Sequence, residues 1–116
     1  METRRLTRKE RLRLRKDFRT VFKNGRSVYN GYFRIVYVKN DIGLRRIAVL
    51  VKKKIGKAVY RNRIRRLVKE FFRNNKNKFP ESIDMVFLAR EKLRGKKEIN
   101  YKDVEKMILN LVERMK

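Results

Sequence analysis

The sequence contains no His and no Cys, so acid–base or metal chemistry would fall to its twelve Asp and Glu residues. Only Asp103 and Glu105 lie close together, and two positions apart on a helix they point to different sides. A metal site would need several of these carboxylates to converge from distant positions, and no spacing suggests it. Gly-rich phosphate loops of the GxxxxGKS/T or GxGxxG type are absent. The reading is a chain with no catalytic residue, no metal ligand set and no cofactor of its own.

The basic residues point the other way. There are 36 Lys and Arg, giving a net charge of +24. Ten of them fall in the 22 residues from Lys52 to Arg73, against the single acid Glu70. If Ala58 to Arg73 is a helix, Tyr60, Ile64, Leu67, Val68, Phe71 and Phe72 form one apolar stripe of 3.6-residue period. Arg61, Asn62, Arg65, Arg66, Lys69 and Arg73 fall on another face. Cations one turn apart repel, so such a face is easiest to keep when a polyanion binds it. Guanidinium groups ~6 Å apart along a helix can clasp successive phosphates, and Asn62 can donate to a phosphate or a 2′-OH. A disordered basic tail does not fit, because the charges are interleaved with periodic apolar residues. The expected partner is nucleic acid, not a membrane or a small-molecule substrate. Apolar runs such as Ile47 to Val51 fall far short of the ~20 residues of a membrane span. The Arg-rich start carries Glu2 and Glu10 and no Ser, unlike a transit peptide. A cytoplasmic location is expected, in keeping with the absence of Cys. Composition alone leaves open a ribosomal protein or a general RNA chaperone.

The elements that must position these residues read as one domain over residues 1–116, with residues 1–14 a basic, extended or mobile arm. Asp17 is placed as the cap of a short helix ending at Asn24, with Phe18, Val21 and Phe22 on one face and Gly25 ending it in a left-handed turn. Ser27 to Lys39 and Arg45 to Lys52 read as strands joined by a hairpin loop, Asn40 to Gly43. Ile47 to Val51 is apolar on both faces, as a central strand would be. Gly56 is expected to permit a tight strand-to-helix turn that aims the basic helix's N-terminus outward. Ile83 to Leu88 is a further strand, and Tyr101 to Met115 a closing amphipathic helix. The order α-β(2–3)-α-β-α gives an α+β, two-layer sandwich.

The run Lys53-Lys54-Ile55-Gly56-Lys57-Ala58-Val59-Tyr60-Arg61-Asn62-Arg63-Ile64-Arg65-Arg66 resembles the "RNR" signature of the bacterial ribonuclease P protein subunit. Asp17-Phe18, Val21-Phe22 and Gly25 resemble that family's DF..VF..G segment. The resemblance implies the fold of a small-subunit ribosomal protein's second domain, with a left-handed βαβ crossover where the default hand is right. It implies assembly with a catalytic RNA that performs Mg²⁺-dependent removal of the 5′ leader from precursor tRNA. Arg61, Asn62, Arg63, Arg65 and Arg66 would face that RNA, with Lys69 continuing the row. Phe18, Phe22, Phe33, Val36, Lys52, Lys53 and Arg90 would line a cleft for the single-stranded leader. Rings beside cations suit that task, although Phe18 and Phe22 fit plain core packing equally well. The chain departs from the family pattern at Glu91, where relatives carry a basic residue that Lys92 could replace. It departs again at Val36, where some relatives place an aromatic.

Overall fold

A computed structural model describes residues 8–96 and 98–115. Three α-helices, α1 (Arg15–Asn24), α2 (Ala58–Asn74) and α3 (Tyr101–Glu113), accompany four strands, β1 (Arg26–Tyr29), β2 (Phe33–Lys39), β3 (Arg45–Leu50) and β4 (Ile83–Ala89). The chain order is the expected α-β-β-β-α-β-α. The strands form one mixed sheet in the order β1-β2-β4-β3, antiparallel except for the parallel β3–β4 pair. The residues from Ser27 to Lys39 make two strands, not one. They are broken by an Asn30-Gly31 hairpin in which the Asn30 side-chain oxygen accepts from the backbone N–H groups of Tyr32 and Phe33.

Two expectations about strand neighbours fail. The Asn40–Gly43 segment does not close a hairpin, because β4 lies between β2 and β3. The interior strands are therefore β2 and β4, the latter with its first five residues all buried, and β3 is an edge. An edge strand can be apolar on both faces here because other segments cover it. The backbone N–H of Leu12 donates to the Ile47 carbonyl at 3.0 Å, and Leu12 is itself buried. Glu10 is buried against Lys76, with N–O distances of 3.0 and 2.8 Å. So residues 8–12 are a strap docked along β3 and not a free arm; residues 1–7 of the expected arm lie outside the described residues.

Strand alternation gives the sheet two faces. Phe33, Ile35, Ile47, Val49, Met85 and Phe87 meet the buried stripe of α2 and α3 in the larger core. Val36, Ala48 and Val86 meet Leu12 and Val21 in a smaller core beneath α1. On α2 the stripe buries Ile64, Leu67, Val68, Phe71 and Phe72. Each such side chain contributes about 1.5–3 kcal/mol. Like-charge pairs on its far side cost only a few tenths each, so the helix forms despite them. At the end of α1, Gly25 has φ −79°, not the left-handed conformation. Glycine is needed there because a Cβ would sit 2.3 Å from the Val21 carbonyl oxygen.

Candidate nucleic-acid interfaces

Two surfaces emerge, on opposite faces of the sheet. The first is the outer side of α2. Asn62, Arg63 and Arg66 are exposed, whereas Arg61, Arg65, Lys69 and Arg73 flank the buried stripe and are only partly exposed. Arg61 is partly committed to structure: its Nε donates to the Gly56 carbonyl at 3.0 Å, fastening the turn that leads into the helix. Arg65 donates to the Asn62 side-chain oxygen at 2.5 Å, so these two present one joined donor surface. Burial, then the neighbouring charges of Arg11 and Arg65, hold the Lys69 amine below the usual lysine range. The strap thus brings Arg11 up to the basic helix. Gly56 is extended, and what demands glycine is the Tyr60 ring, whose nearest carbon would lie 2.7 Å from a Cβ. That ring is in turn fixed by its hydroxyl, which donates to the Leu93 carbonyl. The N-terminus of α2 has no side-chain cap and no acid in its first turn. Its first backbone N–H groups therefore keep an unopposed positive dipole end.

The second surface is the end of the α1-side sheet face that α1 leaves uncovered. A groove of about 230 Å³ is lined there by Arg34, Leu50, Lys52, Lys54, Leu88 and Arg90, among others. Phe22, on α1, is half-exposed, while Phe18 packs partly against the smaller core. Of the residues expected to line the cleft, Lys52 and Arg90 do so, and Lys53 is exposed on the adjoining turn without lining the groove. Two expectations are corrected. Phe33 has no exposed surface and points into the larger core under α2 and α3. Val36 is 3% exposed and forms floor beneath Val21. Neither ring nor methyls can meet a ligand from those positions. Odd and even residues of β2 face opposite sides, so Phe33 and Val36 could not both have lined one cleft. That parity was available in the sequence; which side was open was not.

Arg34 and Leu50 are groove residues that sequence reasoning missed. At Glu91 the carboxylate pairs with Lys54 at 2.5 Å, and that contact lowers its pKa. Lys92 does not substitute at the groove: its amine lies over the Tyr32 ring, which packs against the larger core. Beneath α1, Arg46 gathers two acids that are far apart in sequence. It forms a two-pronged pair with Asp84 at 2.7 Å for each contact, and meets Asp17 at 3.3 Å. Asn40 adds a donor to Asp84 at 2.8 Å. Asp17 therefore ties the first turn of α1 to β3 and β4 and is not a cap; the position before the helix is Leu14. The two carboxylates share the one guanidinium, a structural arrangement that raises the Arg46 pKa chiefly through the Asp84 hydrogen bond. Among the described residues, no three His, Cys, Asp or Glu gather where they could hold a metal ion. Nor, among them, is any helix long and apolar enough to cross a membrane.

Known proteins share this sequence pattern and fold. The profile of the Ribonuclease P family matches residues 6–116. The ribonuclease P protein component of Thermotoga maritima is 43% identical over 110 residues, 94% of each chain. That of Petrotoga mobilis is 41% identical over 116 residues, 99% of this chain and 98% of the other. The solved RNase P protein from Thermotoga maritima superposes with a TM-score of 0.83 at 41% identity, covering 92% of this chain and 98% of that one. A Staphylococcus aureus RNase P protein superposes with a TM-score of 0.79 at 26% identity, covering 90% and 94%.

Proposed function

This chain belongs to the family of ribonuclease P protein components, and on that premise we propose how its two surfaces divide the work. The outer side of α2, through Arg61, Asn62, Arg63, Arg65, Arg66 and Lys69, binds the phosphate backbone of a catalytic RNA. The groove, through Lys52 and Arg90, together with Lys53 on the adjoining turn and Phe18 and Phe22 on α1, grips the single-stranded 5′ leader of precursor tRNA. Hydrolysis and its Mg²⁺ ions belong to the RNA. The protein lowers phosphate repulsion and raises affinity for precursor over mature tRNA.

The observation that carries this reading is the unlike chemistry of two basic surfaces on one small domain. The α2 surface offers cations and an amide with no exposed ring, which suits phosphates of a folded RNA. The groove has an apolar floor of Leu50 and Leu88 with cations at its rim, and α1 on the same sheet face carries a half-exposed ring, Phe22, features that suit unpaired bases. Dispersed and ion-paired acids, with no His or Cys, are consistent with chemistry supplied by a partner. The test is reconstitution. Purified protein added to a bacterial ribonuclease P RNA at low Mg²⁺ is expected to stimulate cleavage of leader-bearing tRNA. No stimulation, with the protein folded, would contradict the proposal.

A further inference from the structure

The sheet end that forms the groove continues one strand further than the groove's lining, onto β1. Tyr29 lies opposite Arg34 in the β1–β2 register, and its neighbour Val28 points into the larger core. By alternation the Tyr29 side chain therefore stands on the groove face beside Arg34. It is 56% exposed, so one side of the ring is open to solvent. The ring is also held. The Arg90 guanidinium sits over it, 5.0 Å from the ring centroid, and Arg90 Nη1 donates to the Asn30 carbonyl at 2.7 Å. Asn30 in turn donates from its side chain to the Met107 carbonyl at 2.7 Å, anchoring the hairpin to α3. Arg114 donates to the Tyr29 carbonyl at 3.3 Å.

We propose that Tyr29 is a stacking platform for one unpaired nucleotide of the leader, with Arg90 holding the ring in place and receiving that nucleotide's phosphate. An ordered ring loses little freedom when a base stacks on it, and a guanidinium at its side keeps spare N–H donors for a phosphate. The ring compensates for Val36, which lies buried in the floor and cannot stack. The assignment extends the leader path across β2 to β1, and it rests on the groove being the leader site.

The test is a leader-length series measured with Tyr29→Ala, Tyr29→Leu, Tyr29→Phe and, as reference, Phe22→Ala and Lys52→Ala. Melting temperature checks the fold, which an exposed position should leave intact. Tyr29→Ala and Tyr29→Leu are expected to weaken precursor binding on the order of tenfold with long leaders. The loss should vanish once the leader is trimmed short of the ring, and affinity for mature tRNA should not move. Tyr29→Phe keeps the ring and should bind as the parent does. If Phe22→Ala and Lys52→Ala reduce the gain from leader length while Tyr29→Ala does not, the platform is wrong and the groove reading stands. If none of the three alters that gain, the groove reading itself falls and takes the platform with it.

Discussion

The outer side of α2 and the groove beside α1 are both basic, yet they are built in opposite ways. On α2 the charges stand on a helix anchored by its buried stripe, and Arg65 and Asn62 are joined to each other. In the groove the cations sit at the rim of a sheet face whose floor is apolar, and α1 on that same face exposes Phe22. The first arrangement can follow a regular phosphate spacing and is blind to bases. The second gives unpaired bases something to stack on. Charge alone does not tell these surfaces apart; what lies between the charges does.

The comparison can be broken from underneath. Both surfaces depend on one framework, and Asp84→Ala should damage it most. That change leaves Arg46 without its two-pronged partner, and breaking such a largely buried pair costs about 3 kcal/mol or more. Denaturant unfolding should show that loss, and both RNA affinities should fall together. Asp17→Asn removes only the charge at the longer contact and should cost far less, about 1 kcal/mol or below.

Next in size is Phe22→Ala. If the ring stacks, leader-dependent affinity falls by about 1–3 kcal/mol with no change in salt dependence. Unfolding in its place would mean that Phe22 is core, a result its half-exposed position argues against. Arg66→Ala tests the other surface with an exposed residue. Affinity for the RNA subunit should fall by about 1 kcal/mol, and the slope of log affinity against log salt should shallow by roughly 0.9 or less.

The smallest effect sharpens the link between charge and function. Lys69→Met should stabilise the free protein by about 0.3 kcal/mol, because it removes a cation that burial disfavours and that Arg11 and Arg65 repel. RNA-subunit binding should weaken all the same. The sign of the pH dependence follows. The folded protein binds the Lys69 proton more weakly than the unfolded chain does. The parent's stability therefore rises as pH climbs from the lowered pKa towards the ordinary lysine range. The Met variant should lack that rise.

Much of this was legible in the sequence, and the failures have physical causes. Helical periodicity placed α2 and its stripe to within a residue, because a 3.6-residue pattern over 17 residues has few alternatives. Family likeness and composition singled out the basic helix as the surface proposed to face RNA. Strand neighbours were not legible: the contiguous apolar run in β3 looks central, and only the docked strap explains why an edge carries it. Asn30-Gly31 was a readable hairpin signal that the long β-branched and aromatic run obscured. The Arg46–Asp84–Asp17 cluster joins residues from three elements, so no local pattern announces it. Phe33 was misplaced for a simpler reason: an aromatic next to a cation looks the same in sequence whichever face of the sheet it occupies.

The division of labour between the two surfaces is tested most directly by crossing Arg66→Ala and Phe22→Ala against two readouts. These are the salt slope for RNA-subunit binding and the ratio of precursor to mature tRNA affinity in the assembled holoenzyme. Arg66→Ala should shallow the slope and leave the ratio alone, while Phe22→Ala should lower the ratio and leave the slope alone. If both variants move both readouts to the same extent, the two surfaces are one undifferentiated basic site and the account is wrong.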